Sequence, residues 1–197
     1  MDLLEWVMIP RLYMAKSLTV NITLAVVTLL MTGVAAANNV RFVEVSEQAG
    51  LDFTHVNGMI GNHWLVEITG AGVAILDFDG DGRMDIWIVQ GGPLSDRTGT
   101  LPADQLFRNV SAASELRFVN ETAKSGVSAT GYGMGIASGD IDNDGDPDVL
   151  LANFGANELY ENLGDGRFRD VTRESGLAGT DWSVAASFAD IDGDGRE

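Results

Sequence analysis

The segment DFDGDGRMD at residues 77–85 recurs as DIDNDGDPD at 140–148 and as DIDGDGRE at 190–197. Each copy sets acids at its first, third and fifth positions and a glycine at its sixth. A second motif precedes each copy: FVEVSEQAGL at 42–51, FVNETAKSGV at 118–127 and FRDVTRESGL at 168–177. In all three a glycine falls eight residues after the phenylalanine, at Gly50, Gly126 and Gly176. Phe118 precedes Asp140 by 22 residues, and Phe168 precedes Asp190 by the same 22. The last two acidic loops lie 50 residues apart and the first two 63. Repeats of this size stack on their neighbours to complete a core.

Within one unit the strands are short. Met134 to Ser138 leads into the acidic loop and Val149 to Phe154 leaves it. Glu158 to Asn162 and Arg167 to Thr172 flank Gly164-Asp165-Gly166, and an Asp-Gly between apolar runs is a strong hairpin signal. About four strands per repeat is the make-up of a propeller blade. No segment after residue 38 keeps a helical period over three turns. The expected fold class is therefore all-β: a partial β-propeller of about three four-stranded blades. The 13 extra residues of the first unit fall mainly in Gln90 to Gln105, which reads as a surface loop. The rest fall in the turn after Asn109, where VSAASEL stands in place of LGDG.

The loops have the chemistry of a hard cation site. Calcium takes six to eight oxygens, and a short loop with carboxylates at alternate positions, a turning glycine and a following carbonyl supplies most of them. Loop one offers Asp77, Asp79, Asp81 and Asp85, with the turn at Gly82 and the carbonyl of Arg83. Loop two offers Asp140, Asp142, Asp144 and Asp148, with Gly145 and the carbonyl of Asp146. Loop three offers Asp190, Asp192 and Asp194, with Gly195 and the carbonyl of Arg196. Packed carboxylates repel unless a cation neutralises them, so Ca2+ is the expected cofactor. Magnesium fits less well, because it prefers fewer protein ligands in a stricter octahedron. The loops are not EF-hands, since Ile88 and Leu151 stand where the twelfth-position Glu would be.

Charge and composition point the same way. The formal net charge of −17 is unchanged by removing residues 1–37, because Asp2, Glu5, Arg11 and Lys16 cancel. Such a surface repels nucleic acid and attracts cations. With 0 cysteines, disulfides and thiolate metal sites are excluded. The apolar run Leu18 to Met31 follows Lys16 and precedes Ala35-Ala36-Ala37, the pattern of a signal peptide. Residues 1–37 are thus expected to be a leader cleaved before Asn38, with Met14 as the true start. Residues 38–197 then form the repeat domain, secreted to the extracellular space or periplasm. The run is short for a stable membrane span, which needs about 20 residues; an uncleaved anchor is the competing reading.

GYGMGIASGDIDNDGDPD (131–148) resembles FG-GAP and VCBS-type repeats, the units of integrin-like β-propellers. GLDFTHVNG (50–58), LVEITGAGVAILDFDGDGRMDIWIV (65–89) and NELYENLGDGRFRDVTRESGL (157–177) resemble the ASPIC/UnbV family, related to cartilage acidic protein. The resemblance implies a seven-bladed propeller with calcium held by the loop aspartates. It also implies a scaffold for adhesion or for binding an extracellular protein or glycan ligand, and not an enzyme. The competing function is an accessory domain of a larger secreted enzyme, for example one acting on polysaccharide. Three repeats are too few to close a propeller of about 4–8 blades, so the expectation is a fragment of a longer frame. Trp87, Phe107, Phe118, Tyr160 and Phe168 are expected to pack between blades. Trp64 and Trp182 lie near loops, and packing is the expectation for them too. For His55, in FTHVNG, it is a structural hydrogen bond.

Overall fold

Val73–Leu76 (β1) is a run of β-favouring apolar residues whose side chains alternate between exposed and buried. It pairs antiparallel with Asp85–Ile88 (β2), in register from Val73 opposite Ile88 to Leu76 opposite Asp85. Loop one is therefore the connection of a hairpin. Gln105–Asn109 (β3) and Phe118–Asn120 (β4) add on in turn, giving a four-stranded antiparallel meander in the order β1-β2-β3-β4. The computed structural model of the chain describes residues 41–95, 97–177 and 179–193. Residues from Glu44 onward form one compact unit.

The second meander repeats the first. Gly133–Gly139 (β5), Asp148–Asn153 (β6), Glu158–Asn162 (β7) and Phe168–Asp170 (β8) pair in the order β5-β6-β7-β8. Loop two joins β5 to β6, where Gly139 lies opposite Asp148. Among the described residues the helices are single turns: Ser46–Ala49 (α1), Leu65–Thr69 (α2), Thr122–Ser125 (α3) and Thr172–Ser175 (α4). Among the described residues no helix is long and apolar enough to cross a membrane.

The two sheets face each other across the main core. Leu76, Trp87, Val89 and Leu106 of the first blade meet Val149, Leu151, Tyr160 and Phe168 of the second. The Trp87 ring lies 5.6 Å from Tyr160 and 5.2 Å from Phe168, nearly edge-on to the latter. Each such side chain contributes about 1.5–3 kcal/mol on burial, so the blades stabilise one another. A smaller cluster covers the opposite face of the first blade: Phe107 and Phe118 pack with Ala49, and Leu51, Phe53, Ile86 and Ile88 border them. All five strand aromatics are buried; Trp87, Tyr160 and Phe168 pack between the two blades as expected, whereas Phe107 and Phe118 pack on the other face of the first blade against residues 49–53.

The third blade differs from the expectation. Two four-stranded sheets are complete, and residues 179–193 carry no strand, only the bridge of Trp182 to Phe154. That segment still docks as a blade does. Gly133 donates its N–H to the Gln90 carbonyl at 3.0 Å across the first pair of blades. Ser183, two residues before Ala185 as Gly133 is before Gly135, donates to the Asn153 carbonyl at 3.0 Å. Residues 1–37, expected to be a signal peptide with the start at Met14, lie outside the described residues.

Two local expectations also change. The strand placed over Arg167 to Thr172 ends at Asp170, because the Asp170 carboxylate accepts the Thr172 N–H at 2.9 Å and turns the chain into α4. Asn120 does the same for Thr122 at 3.1 Å. The Gln90 to Gln105 segment is exposed at its tip but anchored at both ends, with Gln90 and Asp104 buried. Asp104 accepts from the Trp87 Nε1–H at 2.9 Å and from the Gln90 N–H at 2.8 Å. Gln90 in turn accepts from the Val56 N–H at 2.7 Å and donates to the Thr54 carbonyl at 3.0 Å. These polar groups are buried because they are mutually satisfied. His55 is exposed beside Phe53, with ring centroids 6.4 Å apart, and among the described residues its side chain makes no hydrogen bond.

Candidate metal centre

Each acidic loop holds its shape by turning its own N–H groups onto its own carboxylates. In loop one Asp77 accepts from Asp81 N–H at 3.1 Å and Gly82 N–H at 2.8 Å. In loop two Asp140 accepts from Asp144 N–H at 3.2 Å and Gly145 N–H at 3.0 Å. The closing carboxylate is buried under the next strand. Asp85 accepts from Phe78 N–H at 3.1 Å and Asn109 N–H at 2.6 Å. Asp148 accepts from Ile141 N–H at 2.8 Å and Asn162 N–H at 2.7 Å. Two turns of the backbone make this possible. The sixth position, Gly82 or Gly145, has φ of 82° or 97°, and the fourth, Gly80 or Asn143, has φ of 67° or 62°. The sequence reading identified the sixth position and overlooked the fourth. Asn143 meets that demand because asparagine tolerates the left-handed region better than other side chains.

The structure brings together the first, third and ninth positions. Oxygens of Asp77, Asp79 and Asp85 lie within 4.8 Å of one another, as do oxygens of Asp140, Asp142 and Asp148. The two triads are six carboxylates of one donor type, the hard oxygens that calcium takes. Asp79 Oδ1 is buried without a hydrogen-bond partner, an orphaned acceptor that fits a bound cation. The fifth-position residues, Asp81 and Asp144, are not part of these triads. Asp81 pairs with Arg83 and with Arg108, the latter at 3.1 Å, and Asp144 accepts the Asp146 N–H at 3.0 Å. The seventh-position residues Arg83 and Asp146 lie at the loop surface. In loop three, Asp190 accepts the Gly193 N–H at 2.7 Å, and Asp190 and Asp192 are exposed. Asp194 and Arg196 lie outside the described residues.

The electrostatics are those of a site short of positive charge. Burial pushes the Asp85 carboxyl up to about 6 against the pull of two N–H donors, and the charges of Asp79 and Asp81 add to the rise. Burial also raises Asp148, with Asp142 and Asp144 adding to it. Asp81 and Asp142 diverge. Removal from water acts to raise Asp81, yet the Arg83 N–H and the Arg108 and Arg83 guanidiniums hold it below its ordinary value. Asp142 is raised by removal from water and by the charges of Asp144, Glu161 and Asp140.

Loop one also sits at the joint between the two blades. Phe78, second in loop one, is buried and stacks on Phe168 of the second blade at 6.1 Å. Its carbonyl accepts from Asn162 Nδ2 at 3.0 Å. A cleft of about 560 Å³ runs beside it between Asp79, Arg108, Lys124 and the Gly166 turn. At the far end of the β5–β6 hairpin, Trp64, Leu65, Leu94, Phe154 and Trp182 line an apolar hollow of about 410 Å³. Trp182 packs edge-on to Phe154 at 5.7 Å, and both Trp64 and Trp182 keep about two-fifths of their surface exposed, at 41% and 43%.

Comparison with known families agrees with this architecture. No curated protein matches the chain. The model of the FG-GAP-like repeat matches twice, over residues 77–151 and 140–197. The first match opens on the first aspartate of loop one and the second on that of loop two. The overlapping windows span the acidic loops and the strands between them, so the chain belongs to the FG-GAP-like repeat family.

Proposed function

We propose that this chain is a calcium-binding β-propeller scaffold, secreted and non-catalytic, that presents loops to an extracellular protein or glycan. The observation that carries the calcium reading is the matched pair of triads, Asp77/Asp79/Asp85 and Asp140/Asp142/Asp148, in the first hairpin of successive blades. Bound calcium would supply the positive charge the buried Asp85 and Asp148 carboxylates lack. Because loop one wedges Phe78 against the second blade, an ion bound to the folded state would stabilise that joint by mass action. The recognition role rests on the fold: blades hold variable connections on a rigid body, where binding residues concentrate. The sequence LVEITGAGVAILDFDGDGRMDIWIV further supports a place in the ASPIC/UnbV branch, and the Leu18 to Met31 run supports export.

Calorimetric titration of the chain with calcium chloride, paired with thermal melts, tests this. Binding at about 10⁻⁴–10⁻³ M, the range of extracellular modules, with a rise in Tm and little effect of equal magnesium, is expected. Melts identical in calcium and in chelator would overturn the calcium reading.

A further inference from the structure

The two described loops have the same backbone but opposite surroundings. Asn109 and Asn162 occupy equivalent places, each giving its N–H to the closing aspartate of its loop. The residue before them is therefore Arg108 in β3 and Glu161 in β7. Arg108 reaches loop one, where its Nε pairs with Asp79 and a terminal nitrogen lies 3.1 Å from Asp81. Arg83, seventh in that loop, also pairs with Asp81. Its counterpart in loop two is an acid, Asp146. On the neighbouring strand, Val119 opposite Arg108 is matched by Arg169 opposite Glu161. Arg169 is engaged by Glu161 and, at 3.0 Å, by Glu174. Four carboxylates of loop one thus face two guanidiniums. The five aspartates of loop two are joined by a sixth acid, and among the described residues no cationic side chain pairs with any of the five.

We propose that Arg108 is the resident cation of loop one, so that calcium loads loop two at concentrations that leave loop one metal-free. The inference rests on the calcium reading above. A guanidinium bridging the third- and fifth-position carboxylates neutralises the charge that would draw an ion in, and it occupies the Asp79 Oδ2, leaving only the Oδ1 open to an ion. Loop one, with Phe78 lodged against the second blade, then holds that joint together whether or not calcium is present. Loop two has no such internal substitute and depends on the ion.

The test is calcium calorimetry on the full chain carrying Asp190→Asn and Asp192→Asn, which silences loop three. One equivalent is expected. Adding Asp142→Asn should abolish it. Adding Arg108→Gln instead should raise the count to two, with loop one gaining about tenfold or more in affinity, the scale of one charge-assisted contact. Arg108→Lys, which keeps a cation, should stay at one. Two equivalents in the starting chain, or one surviving in Asp142→Asn, would overturn the proposal while leaving the calcium reading intact. No gain in a folded Arg108→Gln chain would also overturn it. Should Arg108→Gln fail to fold in a melt, the Asp142→Asn count alone decides. No heat in the starting chain would instead remove the calcium reading itself.

Discussion

Gly126 abuts the carbonyl of Phe168 so closely that a Cβ added to it would lie 2.8 Å from that oxygen. Gly50 stands in the same relation to Phe118, at 2.6 Å. Gly50 and Gly126, each following a one-turn helix, are thus where one repeat is pressed against the outer strand of the next. Gly176 has the same φ of 79° as Gly126 but nothing within 4 Å of its added Cβ. Gly126→Ala should cost about 1–3 kcal/mol through backbone strain and the close approach together. Gly176→Ala bears the strain alone and should cost less. Urea denaturation of the two variants measures the difference; equal losses would mean that the contact with Phe168 is slack.

A second matched pair lies in β3 and β7. Asn162 is buried, and its Nδ2 joins the blades through the Phe78 carbonyl at 3.0 Å. Asn109 is only half-buried, and its Nδ2 bonds within its own hairpin, to the Met84 carbonyl at 2.9 Å. Asn162→Ala should therefore destabilise by about 1–3 kcal/mol, the cost of leaving a buried acceptor unpaired. Asn109→Ala should cost less. Thermal melts in chelator, with calcium absent from both, give the comparison.

Asp104 makes stability pH-dependent. Burial pushes its carboxyl up to about 7, and the charge of Glu158 adds to this against the Trp87 and Gln90 donors. The folded state then holds a proton that the unfolded chain releases above its ordinary value of 3.8. The stabilisation is complete below that value and is lost as pH rises to about 7. Asp85, raised to about 6, acts in the same direction. Metal-free chain should lose stability between those limits, and Asp104→Asn should flatten part of the slope. Urea midpoints at stepped pH measure this; an unchanged slope in Asp104→Asn would place the titration elsewhere.

Asn143 supplies the remaining prediction. At φ of 62° it does what Gly80 does at 67° and Gly193 at 76°. Asn143→Gly should preserve loop two. Asn143→Val should destabilise by about 1–2 kcal/mol, since a β-branched residue is poorly tolerated there. Circular dichroism melts of both variants are the check.

Much of this arrangement is local and so was legible in the sequence. The Asp-Gly spacing, the 22-residue offset from Phe to loop and the Gly164-Asp165-Gly166 turn are all set by near neighbours. They place β5, β6 and β7 to within a residue. What was illegible depends on register and on packing. Asp104 reads as part of a polar loop until Trp87, 17 positions away, turns its indole onto it. Arg108 reads as one strand charge among others until β3 is aligned with β2 and the guanidinium falls on loop one. The fifth-position aspartates look like ligands by spacing, yet Asp81 is claimed by Arg83 two residues on and by Arg108, which no local pattern ties to it. The third sheet needs a strand that the described residues do not include.

Trp87 also makes the molecule optically readable. Its indole is sealed between two blades with its N–H on a carboxylate, whereas Trp64 and Trp182 meet solvent at the far end of the β5–β6 hairpin. Among the tryptophans of the described residues, emission from the sealed indole belongs on the blue side of the spectrum and out of reach of iodide, and emission from Trp64 and Trp182 on the red side and within its reach. One spectrum therefore separates parting of the first two blades from rearrangement around the hollow, with no label attached.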